Sequence, residues 1–463
     1  MNKAQARITV LTEEQIERVH AYTLHVLSTT GIRVDSERAR GIFSKAIGSS
    51  SDGDRIRIPA ELVEQALKSA PSSIEVFDRS GATTFYLGGA QNSETHFGIG
   101  VTNLWYQNPE TDEVMPFSRK HLEISTRLGE TLNSFEVVST PGVIQDISSE
   151  QAEVVAALEM IANTTKSLVM LISNTQQFET ALKLLQHLHG DLAARPFVIP
   201  YFNPVTPLAL NKDTSDKMLL TIEQGLPFIY SSYGMSGATA PITAGGTLVM
   251  LNAELLAGLV FTQLVKEGAP VILGSLPSVF EMKNMISAYT PQTMLLNLAC
   301  AEMMAHYGIP HSGTSGSGSG WGPDLLASGT LWMNHLTSCL GKVGLAPFVG
   351  GNFDSLAFSP ATVIYSDEII RQARLFSQGF TLDDASVGLD EIDSIGPGGN
   401  FLMSEQTLAL YREIHEQHSH IWPGWSLDKW QAEKSPKAID LLRKRALDVL
   451  ANLRAPKDHD ELI

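Results

Sequence analysis

From about residue 135 the chain repeats one pattern, a short run rich in β-branched and aromatic residues followed by a longer stretch at helical spacing. The predicted strands are FEVVS (135–139), SLVMLIS (167–173), FVIPYFN (197–203), PFIYSSY (227–233), PVILGS (270–275), IPHSGTS (309–315) and PFVGGNF (347–353). Between and after them lie seven predicted helices: QAEVVAALEMIAN, QFETALKLLQHLH, KDTSDKMLLTIEQ, GTLVMLNAELLAGLVFTQLVKE, PQTMLLNLACAEMMAHY, LLASGTLWMNHLTSCLG and SDEIIRQARLFSQ. Strand spacings of about 30 to 40 residues suit right-handed βαβ crossovers, and seven or eight in series predict a closed (β/α)8 TIM barrel of the α/β class. A doubly wound open sheet is the alternative. The eighth strand is expected either from SIGPGG near residue 396 or from the N-terminal segment.

A barrel of roughly 250 residues leaves flanks to explain in a chain of this length. Thr12 reads as an N-cap with Gln15 three residues on, and Leu11, Ile16, Val19, Leu24 and Leu27 fall near one helical face. The stretch RIRIPAELVEQALKSAPSSIEVFDR reads as strand, helix, strand, the helix starting behind Pro59. Residues 1–130 are therefore expected to form an α+β appendage, 131–400 the barrel, and 401–463 a helical tail packed on its outside.

Charge narrows the partners. With 50 acidic and 33 basic residues the net charge is -17, which repels phosphate backbones and anionic lipid, so neither nucleic acid nor membrane is an expected partner. The apolar run LLAGLVFTQLV is about half a membrane span. The N-terminal residues carry charges throughout, unlike a signal peptide, and the only cysteines are Cys300 and Cys339, so a cytoplasmic location without disulfides is expected. A homo-oligomer is expected.

In a barrel of this kind chemistry sits where strands end and βα loops begin. Those places hold many aromatic, Asn, Ser and Gly residues and almost no charged ones, Asp354 being the exception. The paired carboxylates that a glycosidase-type hydrolase needs are missing from them. Tyr201, Phe202, Tyr230, Tyr233, Phe280, Trp321 and Phe353 fall at or just after predicted strand ends. A cluster of such rings over the barrel mouth would make a cation cage, since a quaternary ammonium has no N–H and is selected by aromatic faces.

The segment HSGTSGSGSGWGPD (311–324) superficially resembles a phosphate loop, yet no Gly-Lys-Ser/Thr follows. Gly316, Gly318 and Gly320 instead suit a backbone that comes close to a flat cofactor or a substrate, because glycine has no Cβ in the way. His415, His418 and His420 have metal-like spacing but sit in the polar tail without acidic or cysteine partners, and no metal site is expected. His96 and His311 are isolated.

The run YGMSGATAPITAGGTLVMLNAELLAGLVFTQLVKEGAPVILGS, beginning at Tyr233, resembles the signature of the trimethylamine methyltransferase superfamily. GIRVDSERAR, RIRIPAELVEQALKSAPSSIEVFDR, NTTKSLVM, EMMAHYGIP, DEIIRQARLFSQG and GPGGNFL are similar to family segments in the same order, so the likeness runs nearly the whole length. One departure is Gln406 in FLMSEQTL, where family members commonly carry histidine.

The resemblance implies a TIM-barrel methyltransferase that presents an N-methyl group to the Co(I) corrinoid (cobalamin) of a separate protein. No pyrrolysine is written in this chain, which points to the branch associated with quaternary amines. Glycine betaine, demethylated to dimethylglycine, is the expected substrate; carnitine and proline betaine are the same-class alternatives, and a non-catalytic betaine-binding barrel is a rival. On that reading Tyr201, Phe202, Tyr230, Tyr233, Trp321 and Phe353 are the pool for the cage. Asn203, Ser236 and His311 are candidates to hold the substrate carboxylate, and Gly316, Gly318 and Gly320 face the corrinoid. No protein nucleophile is required.

Overall fold

The computed structural model describes residues 3–48, 53–90, 94–316, 318, 320–416 and 419–463. Eight parallel strands close on themselves: β1 His96–Ile99, β2 Val137–Ser139, β3 Ser167–Met170, β4 Val198–Phe202, β5 Phe228–Ser236, β6 Val271–Glu281, β7 His311–Ser312 and β8 Leu345–Val349. Closure runs through β1, which pairs with β2 on one side (Gly98 with Val137) and β8 on the other (Leu345 with His96). The eighth strand thus comes from the N-terminal segment, and the barrel's first β/α unit runs from His96 to Thr131. SIGPGG forms no strand; its first two residues end the short helix Leu389–Ile395.

Each strand is followed by an outer helix: α1 Arg119–Thr131, α2 Ala152–Asn163, α3 Thr175–His189, α4 Lys212–Glu223, α5 Ala244–Val265, α6 Pro291–Tyr307, α7 Leu325–Leu340 and α8 Pro360–Gln378. Local chemistry sets several starts. Thr243 caps α5, Thr290 caps α6 with Pro291 in its first turn, and Ser359 caps α8 ahead of Pro360.

Helix α5 is apolar all round because it is buried all round. It lies on β5 while helices Glu13–His25, Glu37–Ile47 and Ala60–Ser69 of the N-terminal segment cover its other side. The helix exceeds the eleven-residue apolar run read from sequence, and by length and composition it is long enough to cross a membrane. However, 83% of its most apolar window is buried inside the protein, as a core helix requires.

The barrel interior is packed, not hollow. Val137, Val169, Ile199, Ile229, Ile272 and Leu345 fill one core, and Ile74, Val76, Phe85 and Leu87 of an antiparallel hairpin join it. That hairpin, Ser73–Phe77 with Thr83–Gly88, closes the barrel floor: Gly88 abuts Pro310, directly ahead of β7. Access is left at the opposite end, where the strands finish.

Candidate active site

At that C-terminal end β5 and β6 run on beyond their neighbours, paired from Phe228 with Val271 to Ser236 with Val279. A short strand, Ile286–Ala288, folds back antiparallel on the end of β6. This wall carries Tyr233 and brings Tyr289 round to face it. The Tyr233 hydroxyl donates to Ser287 Oγ at 2.6 Å, which fixes the two together.

A cavity of about 460 Å³ lies against the wall, lined by Tyr201, Asn203, Tyr233, Tyr289, Phe348 and Asp354 among others. Tyr201 projects inward from the end of β4 and meets the Phe348 ring edge-on, centroids 5.0 Å apart. Asn203 Nδ2 donates to the Ser231 carbonyl at 2.7 Å, so its amide is held across the β4–β5 gap. Burial pushes the Tyr201 phenol up to about 12. Burial also pushes the Tyr289 phenol upward, with Tyr233, Tyr201 and Asp354 nearby adding to the shift. Tyr201 and Tyr289 are therefore neutral at physiological pH, and among the described residues no Lys, Arg or His lines the cavity.

Asp354 is its one carboxylate among the described residues. It sits in a turn after β8 where Phe353, Asp354 and Ser355 all have positive φ (52°, 51° and 73°), a conformation that costs a non-glycine residue energy and persists only where surroundings enforce it. Enforcement comes from two sides. Phe353 N donates to the Gly320 carbonyl at 2.8 Å and Asp354 N to the Gly318 carbonyl at 3.0 Å. Asn103 Nδ2, from the loop after β1, donates to the Ser355 carbonyl at 2.7 Å. The turn holds the carboxylate half-buried; Oδ1 is shielded from solvent without a hydrogen-bond partner among the described residues, and burial pushes the carboxyl up to about 6.

Of the residues expected from sequence, the structure brings Tyr201, Asn203 and Tyr233 together at the mouth. Strand pleating sends others to the helix layer. Phe202 packs against Phe178 of α3, and the Tyr230 ring lies on α5 so closely that a Cβ at Gly258 would fall 2.1 Å from it. Ser236 bonds Thr247 of α5 at 2.8 Å. His311 bonds Ser275 Oγ at 3.0 Å, and burial pushes it down to about 3, so it is a neutral core imidazole that does not line the cavity.

Trp321 lies in a different groove of about 910 Å³, with Trp332, Tyr365 and Trp422 between the barrel and the C-terminal helices. Phe353 belongs to the strained turn but is not part of the lining. Gly316, Gly318 and Gly320 brace that turn: Gly316 accepts from Gly350 N at 3.3 Å, and Gly318 donates to the Gly351 carbonyl at 3.2 Å. His415 and His418 lie outside the residues whose side chains are described, and His420 is exposed.

Sequence reasoning missed Tyr289 and Phe348 and noticed Asp354 only as the lone charge at the rim. It also missed Glu254, buried in α5, which accepts from Thr206 Oγ1 at 2.9 Å and from Leu208 N at 2.5 Å, and also from Ser232. Glu254 thereby pins the loop after β4 that starts at Asn203. Burial raises its pKa.

A family model for Trimethylamine methyltransferase (MTTB) matches residues 1–462. The chain is 28% identical to a trimethylamine methyltransferase of Desulfitobacterium hafniense over 95% of its own length and 89% of that protein. It is 26% identical to a glycine betaine methyltransferase from another strain of that species, over 94% of this chain and 91% of the relative. The monomethylamine methyltransferase of Methanosarcina barkeri shares the fold, with a TM-score of 0.56 at 10% identity, covering 96% of this chain and 88% of that one. The chain belongs to the trimethylamine methyltransferase family.

Proposed function

We propose that this methyltransferase-family barrel takes an N-methyl group from a small quaternary ammonium compound and passes it to the Co(I) corrinoid of a separate partner protein. The observation that carries the reading is the cavity at the barrel mouth, with the phenols of Tyr201, Tyr233 and Tyr289 and the Asp354 carboxylate around it and, among the described residues, no basic side chain in the lining. A cation is attracted to each well-placed aromatic face by about 0.5 to 2 kcal/mol. In transfer the N–CH3 bond breaks, its electron pair stays on nitrogen, and a neutral tertiary amine leaves. No protonation is needed, so no acid is asked of the protein.

What the chain supplies is placement and exclusion of water. Tyr201 and Tyr233 face the cation from adjacent strands, and Tyr289 closes the side. The rim around the mouth exposes Val143, Val205, Ile242, Met282 and Met285, an apolar border suited to a partner that brings a flat macrocycle to the opening. Glycine betaine, the substrate expected from sequence, keeps the ammonium half of this argument. For its carboxylate, of the three neutral candidates, only Asn203 lines the cavity.

The test mixes the purified chain with Co(I) cobalamin and a panel of quaternary amines and follows the spectrum for methylcobalamin. Formation that depends on both the chain and one of the amines supports the reading. Saturable amine binding without methyl transfer, even with a competent corrinoid protein, would leave a non-catalytic binding barrel.

A further inference from the structure

Resting on the quaternary-ammonium reading of the mouth, we infer that Asp354 is a specificity-determining residue, and that the site prefers an ammonium cation carrying no carboxylate over a zwitterionic betaine. Three observations converge on it.

Among the described residues Asp354 is the cavity's one carboxylate, and no Lys, Arg or His lines the cavity to offset it. Its Oδ1 is shielded from water and has no hydrogen-bond partner among the described residues, a costly state that a bound cation or a substrate hydroxyl would relieve. Three successive positive-φ residues hold it there, braced by Gly318, Gly320 and Asn103.

A substrate carboxylate finds no compensating charge nearby. The adjoining cavity contains Lys217, but its Nζ donates to the carbonyls of Ile172 and Ser173 at 2.8 Å each, and Glu153 and Asp213 line the same space. Asn203 Nδ2 is already engaged by the Ser231 carbonyl. A betaine tethers its carboxylate within a few bonds of its nitrogen, so seating the ammonium beside Asp354 puts two like charges in one partly desolvated mouth. At an intermediate effective dielectric that repulsion amounts to roughly a tenfold to hundredfold loss of affinity. Choline or tetramethylammonium presents the same methyl groups without it.

Isothermal titration of the full-length chain at pH 7.5 with choline, tetramethylammonium, glycine betaine and carnitine tests this without any corrinoid. The expected result is that choline or tetramethylammonium binds at least about tenfold more tightly than either carboxylate-bearing amine. Asp354→Asn should weaken the two simple cations by a similar factor and leave glycine betaine unchanged or improved. Glycine betaine binding as tightly as choline to the native chain overturns the inference while leaving the quaternary-ammonium reading intact, as does an Asp354→Asn chain with an unaltered ratio. Failure of all four amines to bind overturns both. Should Asp354→Asn not fold, the ratio measured on the native chain decides alone.

Discussion

The amide of Asp354 donates to the carbonyl of Gly318 at 3.0 Å, so the loop after β7 holds the strained turn after β8 in place. The two loops form one unit, and its glycines are not equivalent. A Cβ at Gly320 would stand 2.4 Å from Ala327 Cβ and 2.9 Å from the Gly322 carbonyl, whereas at Gly318 the nearest atom is 3.9 Å away. Gly320→Ala must shift its loop at a cost of about 1–3 kcal/mol, and the turn bonded to it shifts too. Amine affinity, measured by titration, should fall several-fold in Gly320→Ala and stay near the native value in Gly318→Ala. Equal effects would separate the brace from the site.

Pleating separates the rings just as sharply. Tyr201 and Tyr233 face the cavity, while Phe202 and Tyr230 face the helices. Tyr201→Leu and Tyr233→Leu should each raise KM about tenfold, for the loss of one ring worth about 1–2 kcal/mol, and for the less buried Tyr233 with a small change in melting temperature. Phe202→Leu and Tyr230→Leu should show the reverse, lowered melting temperature and near-native KM, because they leave holes in the packed layer. Trp321→Leu, in the outer groove, should move KM little.

The same contrast marks how far the sequence could be read. Seven strands were legible because each is a β-branched run followed by a long helix, a pattern burial imposes over many residues. β1 was not, because HFGI holds a single β-branched residue and the hairpin Trp105–Gln107 with Val114–Pro116 intervenes before α1, so no helix follows it directly. Residues near strand ends were also legible, which found Tyr201, Asn203 and Tyr233. Which of two adjacent residues points inward depends on register, and Tyr201–Phe202 looks alike either way until the neighbouring strands are placed. Tyr289 lies beyond a fold-back of β6 that no local signal announces. Glu254 reads as a polar interruption in an apolar helix, and only the loop it grips explains it.

That grip predicts a stability effect well away from the cavity. Glu254→Ala leaves the Ser232 and Thr206 hydroxyls and the Leu208 amide without their acceptor inside the protein. The loss should be about 2–4 kcal/mol, from buried donors left unsatisfied less the relief of a buried carboxyl. Urea denaturation should show a lower midpoint at unchanged m. Asn203 begins the freed loop, so amine affinity should weaken as well. A variant as stable as the native chain would mean that this loop is held by other contacts.

Asp354 sets a pH dependence whose sign follows from its environment. Burial raises its carboxyl from the ordinary value of 3.8 to about 6, so the folded chain holds this proton more firmly than the unfolded one. Stability linked to this group is therefore fully present below pH 3.8 and lost as pH rises through about 6. Asp354→Asn removes the charge and with it the penalty. Comparing the variant with the native chain cancels the shared titration of the buried histidines, His96, His311 and His335. The variant should unfold at a higher temperature by about 2 °C at pH 8, a modest figure because the group is only partly shielded from solvent. The difference should shrink through pH 6 and vanish near pH 4. Saturating choline should reverse the order at pH 8, since the cation stabilises the native carboxylate and not the amide. An Asn variant that is less stable at pH 8 in the absence of amine would show that the carboxylate already has a partner in the free protein, and the cation-binding role would lose its physical basis.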